Sequence, residues 1–139
     1  MNWLVKEEPA HYNFADLLRD RRTTWSGVKN ALAQKHLRAM TRGDRVFYYH
    51  TGDEKAVVGT ATVASAPSPD PADPAGKNYS VAIAAGRRLP RPVRLADIKA
   101  DPFFADFLLV RMARLSVMPV TDAQWSRIEK MGSAEGRRP

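Results

Sequence analysis

The stretch Trp25-Ser26-Gly27-Val28-Lys29-Asn30, taken together with Trp3-Leu4-Val5-Lys6-Glu7-Glu8-Pro9 before it, is the most informative part of this sequence. A tryptophan in a predicted turn, followed by glycine and then by asparagine just before a helical run, suits a pocket better than a core. The indole offers a flat apolar face, and the neighbouring polar side chains can point at whatever stacks on it. The stretch therefore predicts a binding pocket with one aromatic wall.

Length and composition indicate one ordinary domain. The chain has 139 residues, enough to bury a core without disulfides, and it contains no cysteine. No apolar run approaches the ~20 residues of a membrane span, and the N-terminal strand is followed at once by charge, unlike a signal peptide. We expect a monomer with no membrane contact in the cytoplasm, or in the nucleus of a eukaryote.

The charge balance is strongly basic. Lys and Arg number 22 against 15 Asp and Glu, which gives a net charge of +7 and a pI near 10.1. This excess favours polyanionic partners, nucleic acid first. The alternative is an arginine-rich chain whose charged faces are simply solvated.

Helix signals are clearest at the two ends of the chain. Asn13 with Asp16 and Thr121 with Gln124 have the spacing of capping boxes and predict helices that begin there. Another helix is predicted near Asn30, with Gln34, Lys35 and Arg38 exposed to solvent. A short helix is predicted at 95–100, and a helical turn at 103–109.

Strand signals dominate the middle of the sequence. The predicted strands cover 1–6, 46–50, 57–64, 79–83 and 115–120. Gly59 in mid-strand indicates a bulge or the close approach of another backbone or a ligand. Residues 23–29 are predicted to be a turn, and 89–95 an edge or loop because of Pro90 and Pro92. The fold class is therefore α+β: a small, curved, mostly antiparallel β-barrel flanked by helices, in a single domain over 1–132 with a flexible tail at 133–139.

Several chemistries lack their signatures. The three histidines have no metal-binding spacing, and there is no phosphate-binding loop, dinucleotide fingerprint or nucleophile elbow. We expect no metal, no cofactor and no catalytic residue.

Each candidate pocket residue has a structural alternative. Trp25 suits stacking on a nucleobase, or it covers the core; Asn30 reads a base edge, or it caps a helix. Lys6 and Glu8 lie on one side of an extended segment that points to the pocket mouth, or they are surface charges. Tyr49, His50 and Ser116 either line the pocket or serve the core and the backbone.

These residues lie in blocks that resemble the EVE domain family of the PUA-like superfamily. The blocks are Trp3–Pro9, Trp25–Asn30, Gly43–Thr51, Leu95–Lys99 and Arg114–Val120, in order over nearly the whole chain. The resemblance implies a PUA-like fold and a non-enzymatic role in reading modified, flipped-out bases in DNA or RNA, as YTH domains do with an aromatic cage. It implies that Trp25 is the cage tryptophan, that Ser26 and Asn30 line the pocket, and that Lys6–Glu8 lie against it.

The basic surface is expected to hold the nucleic-acid backbone. The predicted phosphate contacts are Lys29, Lys35, Arg38 and Arg114. This chain departs from the family where Lys29 replaces an arginine and where Gln34 replaces a second arginine, which removes a fixed charge. Tyr79 is a candidate second wall of the cage.

Two other functions stay open. The related ASCH domains include hydrolases of acylated nucleosides, and Lys6, Glu8 and either Ser26 or Thr24 are the residue types that such a reaction uses. A protein-interaction module without any nucleic-acid role is the third possibility.

Overall fold

A computed structural model describes residues 1–133 of the chain, so residues 134–139 of the predicted tail lie outside the described part. The strands are β1 (Asn2–Glu7), β2 (Arg22–Trp25), β3 (Arg45–His50), β4 (Ala56–Val63), β5 (Ser68–Pro69), β6 (Tyr79–Arg94) and β7 (Val117–Val120). The helices are α1 (Phe14–Asp20), α2 (Ala31–Arg38), α3 (Leu95–Ala100), α4 (Leu108–Arg111) and α5 (Asp122–Met131), with a 3₁₀ turn at Pro102–Phe104. Within residues 1–133, no helix is both long and apolar enough to span a bilayer.

The strands form one mixed sheet in the order β2-β6-β4-β3-β1-β7, and the short β5 pairs with β6. Only β1 and β3 run parallel, from the pair Asn2 and Arg45 to the pair Glu7 and His50. The sheet curls far enough for α2 to pack against both β6 and β7, near its two ends. Within residues 1–133, β2 and β7 do not pair, so the barrel stays open, and the predicted α+β class with a curved, mostly antiparallel sheet is confirmed.

Large aromatic side chains fill the core on both sides of the central strands. Trp3, Phe14, Phe47 and Trp125 are each at most 2% exposed. The rings of Phe47 and Trp125 stack with centroids 3.6 Å apart, which fixes α5 on the sheet. Burial of Trp3 and Trp125 agrees with the apolar periodicity around them.

The two predicted capping boxes are confirmed. Asn13 Oδ1 accepts from the amide of Asp16 at 2.8 Å, and Thr121 Oγ1 accepts from the amide of Gln124 at 3.0 Å. In each box the side chain of the later residue accepts a hydrogen bond from the backbone amide of the cap residue. These bonds satisfy amides that a helix start leaves unpaired.

The segment predicted to be a turn is partly a strand, and the one predicted to be an edge or loop is an edge strand. Part of the turn predicted at 23–29 is β2, because β-branched Thr23 and Thr24 suit a pleated strand and pair with β6. The segment at 89–95 mostly continues β6 through two prolines. Arg88 pairs with Gly59 and Val93 with Val57, so both prolines fall in a bulge where no ladder amide is needed.

Gln34 is buried, so its predicted exposure to solvent is wrong. Its Nε2 donates to the carbonyl oxygens of Val28 at 2.8 Å and Tyr79 at 3.1 Å, and its Oε1 accepts from the amide of Tyr79 at 2.9 Å. A neutral amide can both donate and accept, which an arginine cannot. Gln34 therefore ties α2 to the start of β6 and to the turn that follows Trp25.

Gly59 makes room for the ring of Phe14. A Cβ added to Gly59 would lie 2.3 Å from Cζ of Phe14, and the β4–β6 register is irregular on both sides of it. The predicted bulge is confirmed. The group that approaches Gly59 is neither a backbone nor a ligand but the side chain of Phe14, the first residue of α1, which the glycine allows to pack on the sheet.

We predict that Gly59→Ala lowers the free energy of unfolding by roughly 1–3 kcal/mol, because the added methyl group overpacks the contact with Phe14. Urea unfolding measures the loss. Adding Phe14→Leu frees space at that contact, so the double variant should lose less than the sum of the two single variants. Strict additivity would contradict this explanation of the glycine.

Candidate functional site

Trp25, the last residue of β2, is mostly buried. Its side chain is 7% exposed, and its ring meets the ring of Tyr48 edge-on with centroids 5.5 Å apart and planes at 83°. The prediction that this tryptophan suits a pocket better than a core is therefore wrong in part, because pairing of β2 with β6 turns this side chain towards the core. The indole is both a core residue and a wall of the small cavity beside it.

That cavity, here called the Trp25 cavity, has a volume of about 130 Å³. It lies between the end of β1, the loop before α1 and the end of β2, and its lining residues are Glu7, His11, Tyr12, Thr23, Thr24, Trp25 and Ser26. The volume is well below the ~300–1,000 Å³ of pockets for drug-sized ligands. It is about four times the ~30 Å³ that a water molecule occupies, so the cavity suits one small ring or the edge of one.

A carboxylate with two oriented oxygens faces this cavity. Glu7 Oε1 accepts from the amide of Glu8 at 2.9 Å, and Oε2 lies 3.2 Å from His11 Nδ1. Each carboxylate oxygen has a second lone pair, so Glu7 can still accept a hydrogen bond from a ligand. With the hydroxyls of Thr24 and Ser26, it supplies polar groups beside an aromatic wall.

Lys6 and Glu8 do not line the Trp25 cavity, contrary to expectation. Neighbouring residues of a strand point to opposite faces, so Lys6 points away from the side of Glu7. Its Nζ donates to the carbonyl oxygen of Ala113 at 2.9 Å, and burial lowers its pKa. Glu8 accepts from Thr51 Oγ1 at 3.1 Å.

Tyr49 belongs with Lys6 rather than with Trp25. A bulge between Tyr48 and Tyr49 separates their environments. Tyr49 lies beneath Lys6, with Nζ 5.6 Å from the ring centroid, and burial raises its pKa to about 12. Both residues line a second cavity of about 240 Å³, here called the lysine cavity because Lys6, Lys55 and Lys99 all border it.

His50 and Ser116 have structural roles away from the Trp25 cavity. His50 Nε2 accepts from the amide of Phe14 at 3.0 Å, so the ring proton lies on Nδ1, which is 2.8 Å from Glu54 Oε1. The carbonyl oxygen of Ser116 accepts from the amide of Lys6 at 2.9 Å. For His50 the structure agrees with the alternative to pocket lining, and Ser116 does not line the Trp25 cavity.

Asn30 is the N-cap of α2. Its Oδ1 accepts from the amide of Ala33 at 2.9 Å, and it borders a separate hollow of about 310 Å³ together with Arg114. Between Trp25 and Asn30 the chain turns at Gly27, whose amide donates to the buried carboxylate of Asp70 at 2.8 Å. That turn carries Asn30 away from the Trp25 cavity, while Ser26 stays at its edge.

The four predicted phosphate contacts are all exposed to solvent. Lys29, Lys35, Arg38 and Arg114 lie in or beside α2 and before β7, and the Arg38 guanidinium lies 5.9 Å from the ring centroid of Tyr79. Tyr79 does not line the Trp25 cavity, so the structure gives it no place as a second cage wall. None of these four residues lines the Trp25 cavity.

The structure does not assemble the residue set of the alternative hydrolase. Ser26 and Thr24 line the Trp25 cavity, whereas Lys6 lines the lysine cavity. In the described part of the chain, no three His, Asp or Glu side chains come together as a possible metal site.

The curved sheet with its flanking helices is a fold that known proteins share. An ASCH protein of Zymomonas mobilis shares the fold, with a TM-score of 0.55 over 91% of this chain and 92% of its own, at 12% identity. The family model of the EVE domain matches residues 1–131, and the chain belongs to this family.

Relatives cover the whole described domain. Thymocyte nuclear protein 1 of Homo sapiens is 25% identical over 169 residues, which is 96% of this chain and 75% of the relative. The protein Rpa0253 of Rhodopseudomonas palustris is 43% identical, with a TM-score of 0.90 over 94% of this chain and 92% of that one. The human THYN1 protein, solved in complex with DNA containing 5-methylcytosine, has a TM-score of 0.89 at 24% identity over 99% of each chain.

Sequence reasoning singled out Lys6 and Glu8 rather than Glu7, which lines the Trp25 cavity, and it missed Tyr48, whose ring packs against Trp25. The direction of the Glu7 side chain follows from strand alternation once the predicted first strand is extended by one residue, because Glu7 then shares a face with Val5 rather than with Lys6. Tyr48 was one of two adjacent tyrosines with opposite orientations, and no local signal tells which of them meets Trp25.

We predict that Tyr49→Phe flattens the loss of stability at high pH. The folded-state pKa of Tyr49 is about 12 against an ordinary value of 10.0, so its contribution is complete below pH 10 and is lost as pH rises towards 12. Between these two pKa values the free energy of unfolding falls by at most about 1.4 kcal/mol per pH unit because of this one proton. Urea midpoints between pH 8 and 11.5 test it, and parallel curves for the two proteins would refute it.

Proposed function

We propose that this protein binds nucleic acid and holds one modified pyrimidine base, taken out of the helix, in the Trp25 cavity. The observation that carries the proposal is the juxtaposition of the Trp25 ring, the Glu7 carboxylate and two hydroxyl side chains around a space of about 130 Å³. The complex of the related THYN1 protein with DNA containing 5-methylcytosine supports this choice of ligand. The proposed role is recognition rather than catalysis.

The edge of cytosine fits the polar groups of the cavity. The exocyclic amino group of cytosine is a donor, and carboxylate side chains are its usual acceptors. Glu7 keeps a free lone pair on each oxygen for this bond, while Thr24 and Ser26 lie at the same cavity and can either donate or accept. The size of the cavity favours a pyrimidine over the larger purine ring system.

Affinity for the polymer comes from the basic surface. The chain carries a net charge of +7, and exposed Lys29, Lys35, Arg38 and Arg114 are free to contact phosphates. Such contacts are independent of base sequence, and binding through them weakens steeply with salt. The cavity then discriminates among bases.

We expect oligonucleotides with 5-methylcytosine to bind more tightly than the unmodified controls by roughly 5- to 100-fold, since one methyl group in a pocket contributes about 1–3 kcal/mol. Fluorescence anisotropy on single- and double-stranded DNA and RNA, with cytosine, 5-methylcytosine, 5-hydroxymethylcytosine and N6-methyladenine, measures this preference.

Trp25→Phe should reduce the affinity for the preferred base severalfold, because it changes the shape of the aromatic wall of the cavity. The matched variant Trp125→Phe changes a buried ring outside the cavity and should leave binding unaltered. Equal affinity for all bases, or no binding at low salt as expected of a protein-interaction module, would overturn the proposal.

A pair of adjacent carboxylates gives a sharper test. Glu7→Gln replaces an oxygen that accepts from the base with an amide that donates, and should weaken binding of the preferred oligonucleotide by about tenfold, the equivalent of one charge-assisted hydrogen bond. Glu8→Gln changes net charge by the same amount outside the cavity and controls for the long-range effect. If the two variants bind alike, Glu7 does not read the base.

A further inference from the structure

The lysine cavity lies across β1 from the Trp25 cavity, and the function proposed above does not use it. Lys6 and Tyr49 are register partners on the parallel strands β1 and β3, so the fold brings an ammonium group and a phenol together at one wall. Lys55 borders the same space of about 240 Å³ from the turn before β4, and Lys99 from α3. None of the residues that line it is acidic.

The donors around this cavity are largely uncommitted. Lys6 gives one of its three N–H groups to the carbonyl oxygen of Ala113. Within residues 1–133, the ammonium groups of Lys55 and Lys99 have no ion-pair partner, and the hydroxyl of Tyr49 has no hydrogen-bond partner although the residue is only 3% exposed. Glu8 lies nearby against Gly52, but its carboxylate is bonded to Thr51 and does not border the cavity.

The backbone fixes the positions of these groups. Lys55 has a left-handed conformation with a φ of 45°, which is unfavourable for a residue with a Cβ, and its carbonyl oxygen accepts from the amide of Leu95 at 2.8 Å. This bond ties the turn to the start of α3, and Lys99 follows Leu95 by four residues, on the same helix face. Leu95 and Leu109 supply apolar wall, which lowers the local dielectric constant and strengthens attraction to an anion.

We propose that the lysine cavity is a binding site for a phosphate group, whether of a free nucleotide or of a nucleic-acid backbone that passes over the end of β1. Three ammonium groups, which can only donate, and one hydroxyl, which can donate, match the several acceptor oxygens and the negative charge of a phosphate. A metal ion would be repelled. The site does not depend on a base in the Trp25 cavity.

The direct test uses inorganic phosphate, deoxycytidine and deoxycytidine 5′-monophosphate as probes in a sulfate- and phosphate-free buffer. Chemical shifts of backbone amides report where each probe binds. We expect phosphate and the nucleotide, but not the nucleoside, to shift the amides of Tyr49, Gly52 and Ala113. The double variant Lys55→Gln/Lys99→Gln should raise the dissociation constant of the nucleotide at least tenfold, and Tyr49→Phe by about threefold.

A charge-matched control separates a site from general attraction. Lys77→Gln/Lys130→Gln removes the same charge from exposed positions outside the cavity and should change the dissociation constant of the nucleotide less than twofold. The source of the phosphate is given by a salt titration of oligonucleotide binding. If the site binds a backbone phosphate, the slope of the logarithm of the binding constant against the logarithm of the salt concentration should fall by about one to two in the Lys55→Gln/Lys99→Gln variant, because up to two phosphate contacts are lost. If it binds a free nucleotide, this slope should stay unchanged while inorganic phosphate still binds.

Two results would overturn this inference: equal weakening by both double variants, or no phosphate-dependent shift around the cavity together with an unchanged salt slope. Neither bears on base recognition, which is measured with the modified oligonucleotides and the Glu7 and Glu8 variants. Failure of one proposal is therefore distinguishable from failure of the other.

Discussion

The position of Trp25 depends on the ring of Tyr48. That ring lies 5.4 Å from the ring of Phe14, 5.5 Å from Trp25 and 5.7 Å from His50, and its hydroxyl donates to the carbonyl oxygen of Tyr12 at 2.6 Å. Burial raises its pKa far above the usual range, so the hydroxyl stays a donor at any physiological pH. One side chain of β3 thus joins the loop before α1 to the end of β2, and these are the segments that enclose the Trp25 cavity.

The parallel pairing of β1 with β3 then divides the chemistry between two faces. Because successive strand residues alternate, Glu7 faces the Trp25 cavity while Lys6, one residue earlier, faces the lysine cavity with Tyr49. A slip of one residue in this register would exchange the carboxylate and the ammonium between the cavities. Pairing with β7 on the other side of β1, from Asn2 with Val120 to Val5 with Val117, holds that register.

Local signals in the sequence were enough for the features that depend on neighbours along the chain. The capping boxes at Asn13 and Thr121 and the bulge at Gly59 were predictable because each is determined by spacing or by a single residue type. Two predictions failed because they depend on β6, which lies more than forty residues away in the sequence. Gln34 was expected to be exposed but is buried against the start of β6, and Thr23 was expected in a turn but pairs with β6 as a strand. The family resemblance located the right segments, but it did not give the side-chain directions that separate Lys6 and Asn30 from Trp25.

The distribution of charge around the Trp25 cavity argues for a division of labour in the proposed function. Its lining includes a carboxylate and no Lys or Arg side chain, although the chain as a whole carries a net charge of +7. The Glu7 carboxylate repels a phosphate but attracts a neutral base edge that carries an amino donor. The cavity therefore disfavours the phosphate backbone, which is the same in every nucleic-acid sequence. Lysine and arginine outside it attract the polymer without regard to sequence. Under the proposed function, separate surfaces would supply affinity and discrimination, and salt would weaken the affinity while leaving the ratio between bases almost unchanged.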